Sequence, residues 1–122
     1  MPVTSASPVS SRVATVFDFL PALARRRFAA RIGSRGTVRV IAGNDGVLTL
    51  AHQFRAAGAA ELVELRFAQL RGGAGVGDYH LFWKKGNGRW TAYCGGGSEP
   101  FVGSIDECLR EIARDPFGCY WS

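Results

Sequence analysis

Two short stretches fix most of what this chain can become. Thr37-Val38-Arg39-Val40-Ile41-Ala42 and Val47-Leu48-Thr49-Leu50 flank Asn44-Asp45-Gly46, while Tyr79 to Lys85 and Arg89 to Cys94 flank Asn87-Gly88. β-Branched and aromatic runs joined by Asp-Gly or Asn-Gly read as antiparallel hairpins, because Asp, Asn and Gly tolerate the positive φ of a type I′ turn. A chain committed to two hairpins is built around an antiparallel sheet. With Asn87-Gly88 as a two-residue turn, Lys85 faces Trp90, Lys84 faces Thr91, Trp83 faces Ala92, Phe82 faces Tyr93 and Leu81 faces Cys94. One sheet face then carries Leu81, Trp83, Ala92 and Cys94. The other carries His80, Phe82, Lys84, Thr91 and Tyr93.

Helical signals bracket the sheet. Residues 1–10 are rich in Pro, Ser, Thr and Ala without a period, which reads as a flexible tail. Ser10 or Ser11 can cap a helix, and Val13, Val16, Phe17 and Leu20 then follow the spacing of one apolar helical face. Pro21 should end, kink or restart that helix. Leu23, Ala24 and Phe28 resume the spacing, and Gly33 is a stop. Near the other end, Ser104-Ile105-Asp106-Glu107 is a capping box, with Ile105, Cys108, Leu109 and Ile112 as its apolar face. Pro116 halts this second helix by pushing Asp115 out of the α region. Ala56 to Leu70 is ambiguous: its Ala, Glu, Leu, Gln and Arg content favours helix, whereas Val63, Leu65 and Phe67 alternate as in a strand. The reading is a single α+β domain over residues 11–122. It has an N-terminal helix, an antiparallel meander of about five strands, a capped C-terminal helix, and an extended C-terminal segment packed on the sheet.

The charge is uneven. The chain has 122 residues and a net charge of +5. Thirteen of its basic residues are arginine and two are lysine, Lys84 and Lys85. Met1 to Ala60 carries eight arginines against Asp18 and Asp45, a net of +6, while the rest is close to neutral. No run approaches the ~20 apolar residues of a membrane span, so no membrane association is expected. Three cysteines, Cys94, Cys108 and Cys119, are an odd number without a C-x-x-C pair. That fits a reducing compartment, the cytoplasm, better than a disulfide framework.

Leu81-Phe82-Trp83-Lys84-Lys85, Arg89-Trp90 and Tyr93, followed by a short helix and the ending Asp115-Pro116-Phe117-Gly118-Cys119-Tyr120-Trp121, resemble a bacterial domain-of-unknown-function family, DUF3024. The likeness covers about Leu62 to Ser122, and before Ala60 it is only architectural. It implies that Leu62 to Leu70 is a strand, and it implies no activity. Relatives often carry His directly after the hairpin's second Trp, where this chain has Thr91.

Chemical motifs are scarce. Gly72 to Gly77 is followed by Asp78 rather than Lys-Ser/Thr, and Gly95-Gly96-Gly97 leads into no helix, so neither glycine run reads as a phosphate loop. His52, His80 and the three cysteines lack zinc-like spacing, so no metal or other cofactor is expected. Cys119 with His80 or His52 as base is the one nucleophile arrangement to weigh, but Phe117, Tyr120 and Trp121 around that thiol would raise its pKa. What remains is a basic and aromatic set: Arg25, Arg26, Arg27, Arg31, Arg35 and Arg39 in one segment, with Phe82, Lys84 and Tyr93 on one sheet face. Cations beside aromatic rings are how some folds hold single-stranded bases. The sequence therefore favours a non-catalytic binding or interaction domain, its partner an unidentified protein. Nucleic-acid binding through the Arg-rich half is the alternative, and an enzyme using Cys or His comes third.

Overall fold

The computed structural model describes residues 8–43, 45–56, 58, 60–72 and 77–121, with side chains from Phe19 onward. The tail at 1–7, the Val13, Val16 and Phe17 side chains and most of the Gly72–Gly77 loop lie outside the described residues. Helix α1 spans Pro8–Ile32. Leu20, Ala24, Phe28 and Ile32 recur every fourth residue, so they share one face, and none is more than 6% exposed. Pro21 lies inside this helix and does not end it. Gly33 does, in the left-handed region, with its N–H on the Ala29 carbonyl at 2.8 Å.

Strands β1 (Thr37–Ala42), β2 (Val47–Arg55), β3 (Leu62–Gly72), β4 (Tyr79–Lys84) and β5 (Trp90–Ala92) form an antiparallel meander in chain order. The short β6 (Val102–Gly103) pairs with the start of β4. The segment that was ambiguous between helix and strand is β3, as the family resemblance implies. Gly36, which leads into β1, has φ 128° and runs so close to β2 that a Cβ there would stand 2.1 Å from the Gln53 carbonyl. Only glycine fits that approach.

The β4–β5 hairpin differs from the sequence expectation by one residue. Phe82 pairs with Ala92, Trp83 with Thr91 and Lys84 with Trp90. The Lys85 N–H bonds the Arg89 carbonyl and the Gly88 N–H bonds the Lys85 carbonyl, enclosing the three-residue loop Gly86-Asn87-Gly88. Only Gly88 in that loop has positive φ. A two-residue type I′ turn would need it at Asn87 as well. The longer loop leaves Asn87 in ordinary conformation, its side-chain oxygen accepting the Arg89 N–H at 3.0 Å. Because strand side chains alternate, a one-residue slip exchanges the faces. Tyr93 therefore joins Leu81, Trp83 and Thr91 on one side, while His80, Phe82, Lys84, Trp90 and Ala92 occupy the other.

Helix α2 spans Ile105–Arg114, and its capping box forms as read: the Ser104 hydroxyl accepts the Glu107 N–H and the Glu107 carboxylate accepts the Ser104 N–H. Those bonds hold the Glu107 carboxyl below the usual range. Cys108, Leu109 and Ile112 are fully buried. Both helices lie on the same face of the sheet, where Phe28, Leu50, Leu70, Leu81, Leu109 and Ile112 meet in one core. Burying each such side chain stabilises the fold by about 1.5–3 kcal/mol. A register shift between Leu50 and Ala51 marks a bulge in the β2–β3 ladder. It lets the consecutive residues Phe67 and Ala68 both turn to this core, while Arg66 and Gln69 turn away.

The C-terminal segment closes the helix side. Asp115 caps α2 in the left-handed region, with φ 43°. Its carboxylate is buried and accepts three backbone N–H groups, from Cys119 (2.8 Å), Tyr120 (3.1 Å) and Trp121 (2.8 Å). Pro116 pre-sets the turn that brings the Gly118 N–H to the Asp115 carbonyl. The Trp121 indole N–H donates to the Ile112 carbonyl at 2.9 Å, and its ring packs on Phe28 and Phe67. Among the described residues, no helix is long and apolar enough to cross a membrane.

Candidate binding face of the sheet

With both helices on one side, the described residues put no layer over the other side of the meander. Its residues follow from the register. Thr37, Arg39 and Ile41 of β1 lie beside Gln53, Ala51 and Thr49 of β2. These neighbour Glu64, Arg66 and Gln69 of β3, with Arg71 opposite Val47 and Arg55 opposite Leu62. Phe82 and His80 of β4 follow Gln69 and Arg71, and Lys84 stands beside Trp90. Five strands span about 19 Å at ordinary spacing. Five cations, Arg39, Arg55, Arg66, Arg71 and Lys84, share this surface with one acid, Glu64, for a net of +4.

Short-range contacts hold the face in place. The Gln69 amide donates to the Thr49 hydroxyl at 3.1 Å, and Arg71 donates to the Gln69 oxygen through Nε and Nη2 at 3.1 and 2.9 Å. The Arg71 guanidinium thereby lies over the Phe82 ring, 3.9 Å from its centroid. Lys84 Nζ stands 5.5 Å from the Trp90 ring. Glu64 accepts from Gln53 at 3.0 Å and lies 3.6 Å from Arg39 and 3.8 Å from Arg66. Ala51, between Arg39 and Arg66, is covered although it faces outward. One side of the surface is thus cationic around a single carboxylate, and the other pairs cations with aromatic rings.

The sequence-derived candidates separate on this scaffold. Arg39, Phe82 and Lys84 come together on the open face. Tyr93 does not: it is 2% exposed under the helices, and its hydroxyl donates to Glu111 at 2.6 Å. Burial, helped by that bond, raises its pKa well above the phenol range, so it stays a proton donor. Arg27 pairs with Asp106 at 2.8 Å, tying α1 to α2. Arg31 donates to the Ala113 and Arg114 carbonyls, covering the free end of α2, and Arg35 donates to the Arg31 carbonyl. Arg25 and Arg26 are exposed on α1. The arginine run is therefore spread over helix packing and a helix surface, and only Arg39 reaches the sheet face. Arg55, Arg66, Arg71 and Trp90 belong to the face and were not singled out from sequence. The alternation Leu62, Glu64, Arg66 was the available signal, but the bulge breaks it before Gln69 and Arg71, and the slipped register hid Trp90.

The pair of Cys119 with His80 does not assemble. Burial, with Asp115 adding to it, pushes the Cys119 thiol up, and Cys119 lies on the helix side while His80 lies on the open face. Burial likewise pushes the Cys108 thiol up to about 12. His52, on the helix side, contacts the Arg35 carbonyl through Nε2 at 3.1 Å and stacks near Phe54. Among the described residues, no three His, Cys, Asp or Glu side chains gather as a metal site.

Fold and surface together define a small α+β domain with one helix-covered and one uncovered, cation-rich sheet face. The chain belongs to the family described as Domain of unknown function (DUF3024), whose model matches residues 20–122. No curated protein and no solved structure matches it.

Proposed function

We propose that the chain is a non-catalytic binding module and that the open sheet face is its docking surface for an extended acidic polymer. The observation that carries this reading is the net charge of +4 on an uncovered face, where Arg39, Arg55, Arg66, Arg71 and Lys84 outnumber Glu64. A second copy of the chain fits poorly, since face-to-face stacking would set two like-charged surfaces against each other. Arginine suits the role because its planar fork bonds phosphate or carboxylate bidentately. Raised thiol pKa values and the separation of Cys119 from His80 speak against a cysteine nucleophile. Three free cysteines fit a reducing compartment, and we infer the cytoplasm.

The alternative, binding through the Arg25–Arg35 segment, makes the opposite prediction in one experiment. Binding of labelled heparin and poly-aspartate is titrated against salt for the full chain, for Arg66→Glu/Arg71→Glu, and for Arg25→Glu/Arg26→Glu. The expected outcome is loss of binding only in the sheet variant. Loss only in the helix variant would move the site to α1, and no binding by the parent chain at low salt, where such contacts are strongest, would end the proposal.

A further inference from the structure

The open face carries more than charge, and its two cation–aromatic pairs narrow the ligand. On the reading that this face is the docking surface, we propose that it takes a single-stranded nucleic acid, stacking bases on Phe82 and Trp90 while Arg39, Arg55 and Arg66 hold the phosphates. Phe82 and Trp90 lie diagonally across β4 and β5, with Phe82 opposite Ala92 and Trp90 opposite Lys84. Diagonal neighbours on one face sit about 7–8 Å apart, so two rings line one end of the surface. Ala92 is small enough to leave the outer side of Phe82 open. A cation lies over each ring, Arg71 at 3.9 Å and Lys84 at 5.5 Å from the centroid. A base that stacks on the other side of either ring therefore brings its phosphate within reach of a positive charge.

An acidic protein would use the charge but not the rings. A duplex, with its bases already stacked on one another, would not use them either. Single strands offer both groups at once, and aromatic stacking is tolerant of sequence because every base has a π-face. Gln69 stands between Thr49 and Phe82, on the way from the cationic to the aromatic end, and adds a polar side chain there.

The test is fluorescence anisotropy with the full chain and labelled dT12, U12, a mixed 12-base-pair duplex and poly-aspartate, at low salt. Both single strands should bind more tightly than the duplex, and a preference between dT12 and U12 tells DNA from RNA. Phe82→Leu and Trp90→Leu should each weaken single-strand binding roughly 5- to 150-fold, the usual range for one lost stacking contact, and leave duplex and poly-aspartate binding unchanged. In the parent chain, single-strand binding should quench indole emission. Trp90→Phe should keep the affinity and lose that quench, which tests the stacking in a variant that preserves the ring. If single strands bind no tighter than duplex and the leucine variants change nothing, the face is a general polyanion surface. The proposed function then stands and this inference fails. If no ligand binds, both fail.

Discussion

The C-terminal segment and the open sheet face are two aromatic, polar regions of similar size with opposite commitments. In the segment, the polar groups of Asp115, Tyr120 and Trp121 are used internally, while the Phe117 ring is left exposed. Asp115 holds three backbone N–H groups, the Trp121 N–H is bonded, and the Tyr120 hydroxyl lies 3.4 Å from the Phe82 carbonyl. On the face, Phe82 and Trp90 lie under the Arg71 and Lys84 side chains, and among the described residues only Arg39 and Arg66 of the five cations come near a carboxylate, the same one. The C-terminal segment is spent on folding. On the face, Phe82, Lys84 and Trp90 belong to the hairpin pattern, while Arg39, Arg55, Arg66 and Arg71 belong to none. Binding capacity has to be found by asking which side chains the fold leaves on an open surface.

The sharpest way to break that contrast is at Asp115. Asp115→Ala leaves three backbone donors without an acceptor, and each lost bond of that kind costs about 1–3 kcal/mol when the group stays dry. The tail can partly rehydrate, so a total loss of about 3–5 kcal/mol is expected in urea unfolding. Asp115→Asn keeps one acceptor oxygen and tolerates the left-handed backbone, so it should fall in between. If both variants unfold with the parent chain, the Asp115 carboxylate does not hold the tail.

A second prediction concerns pH. Burial raises the Cys108 thiol from 9.0 to about 12, and the Cys119, Tyr93 and Tyr120 groups move the same way. A folded-state value above the unfolded one means full stability below pH 9, lost as pH climbs towards 12. For Cys108 alone, the folded-to-unfolded ratio should fall about fifty-fold between pH 9 and 11. Urea midpoints across that range check it. Cys108→Ala should flatten the slope even if its baseline stability is lower, and parallel curves for the two chains would refute the assignment.

The sequence made the helix side legible and the open side only in part. Leu20, Ala24, Phe28, Cys108, Leu109 and Ile112 could be read as core because apolar periodicity records burial directly. The capping box at Ser104 and Glu107 was equally plain, since both partners are local. The face failed at two points where one residue decides everything. Gly86 made a three-residue loop as available as the two-residue Asn87-Gly88 turn, and the bulge at Phe67 broke the alternation of β3. Neither is a propensity effect; each is a choice of register, and register is set by what packs on the other side of the sheet. The internal use of part of the Arg25–Arg39 run was hidden for a related reason. Its four-residue spacing from Arg27 through Arg31 to Arg35 resembles a solvated stripe, while the partners that employ Arg27 and Arg31 lie about 80 residues away on α2.

Within the segment, the bond made by the indole can be separated from the ring's packing. Trp121→Phe keeps an aromatic ring against Phe28 and Phe67 and removes the N–H that reaches the Ile112 carbonyl. A single neutral bond of this kind contributes about 1 kcal/mol, and the ring's lost area adds a comparable amount. Thermal unfolding should therefore show a drop of about 1–2 kcal/mol, well short of the Asp115→Ala effect. An equal or larger loss would mean that the aromatic cluster, rather than the carboxylate, anchors the tail.

The smallest stability effects should lie on the face, and there the contrast predicts a separation of stability from binding. Arg66→Gln and Arg71→Gln remove exposed or half-exposed charges whose pairs are worth little to the fold, so each should shift unfolding by no more than about 0.5 kcal/mol. Each should nevertheless reduce the salt slope of single-strand binding by about 0.7 if its guanidinium neutralises one phosphate. Glu64→Gln turns the sign round. It removes the one carboxylate on the face, frees Arg39 and Arg66 from it, and keeps an oxygen to accept from Gln53. Oligonucleotide affinity should then rise about two- to fivefold with stability unchanged within about 0.5 kcal/mol. A loss of affinity in Glu64→Gln would mean that Glu64 orients the two arginines for the ligand, and would make the acid part of the binding surface instead of a brake on it.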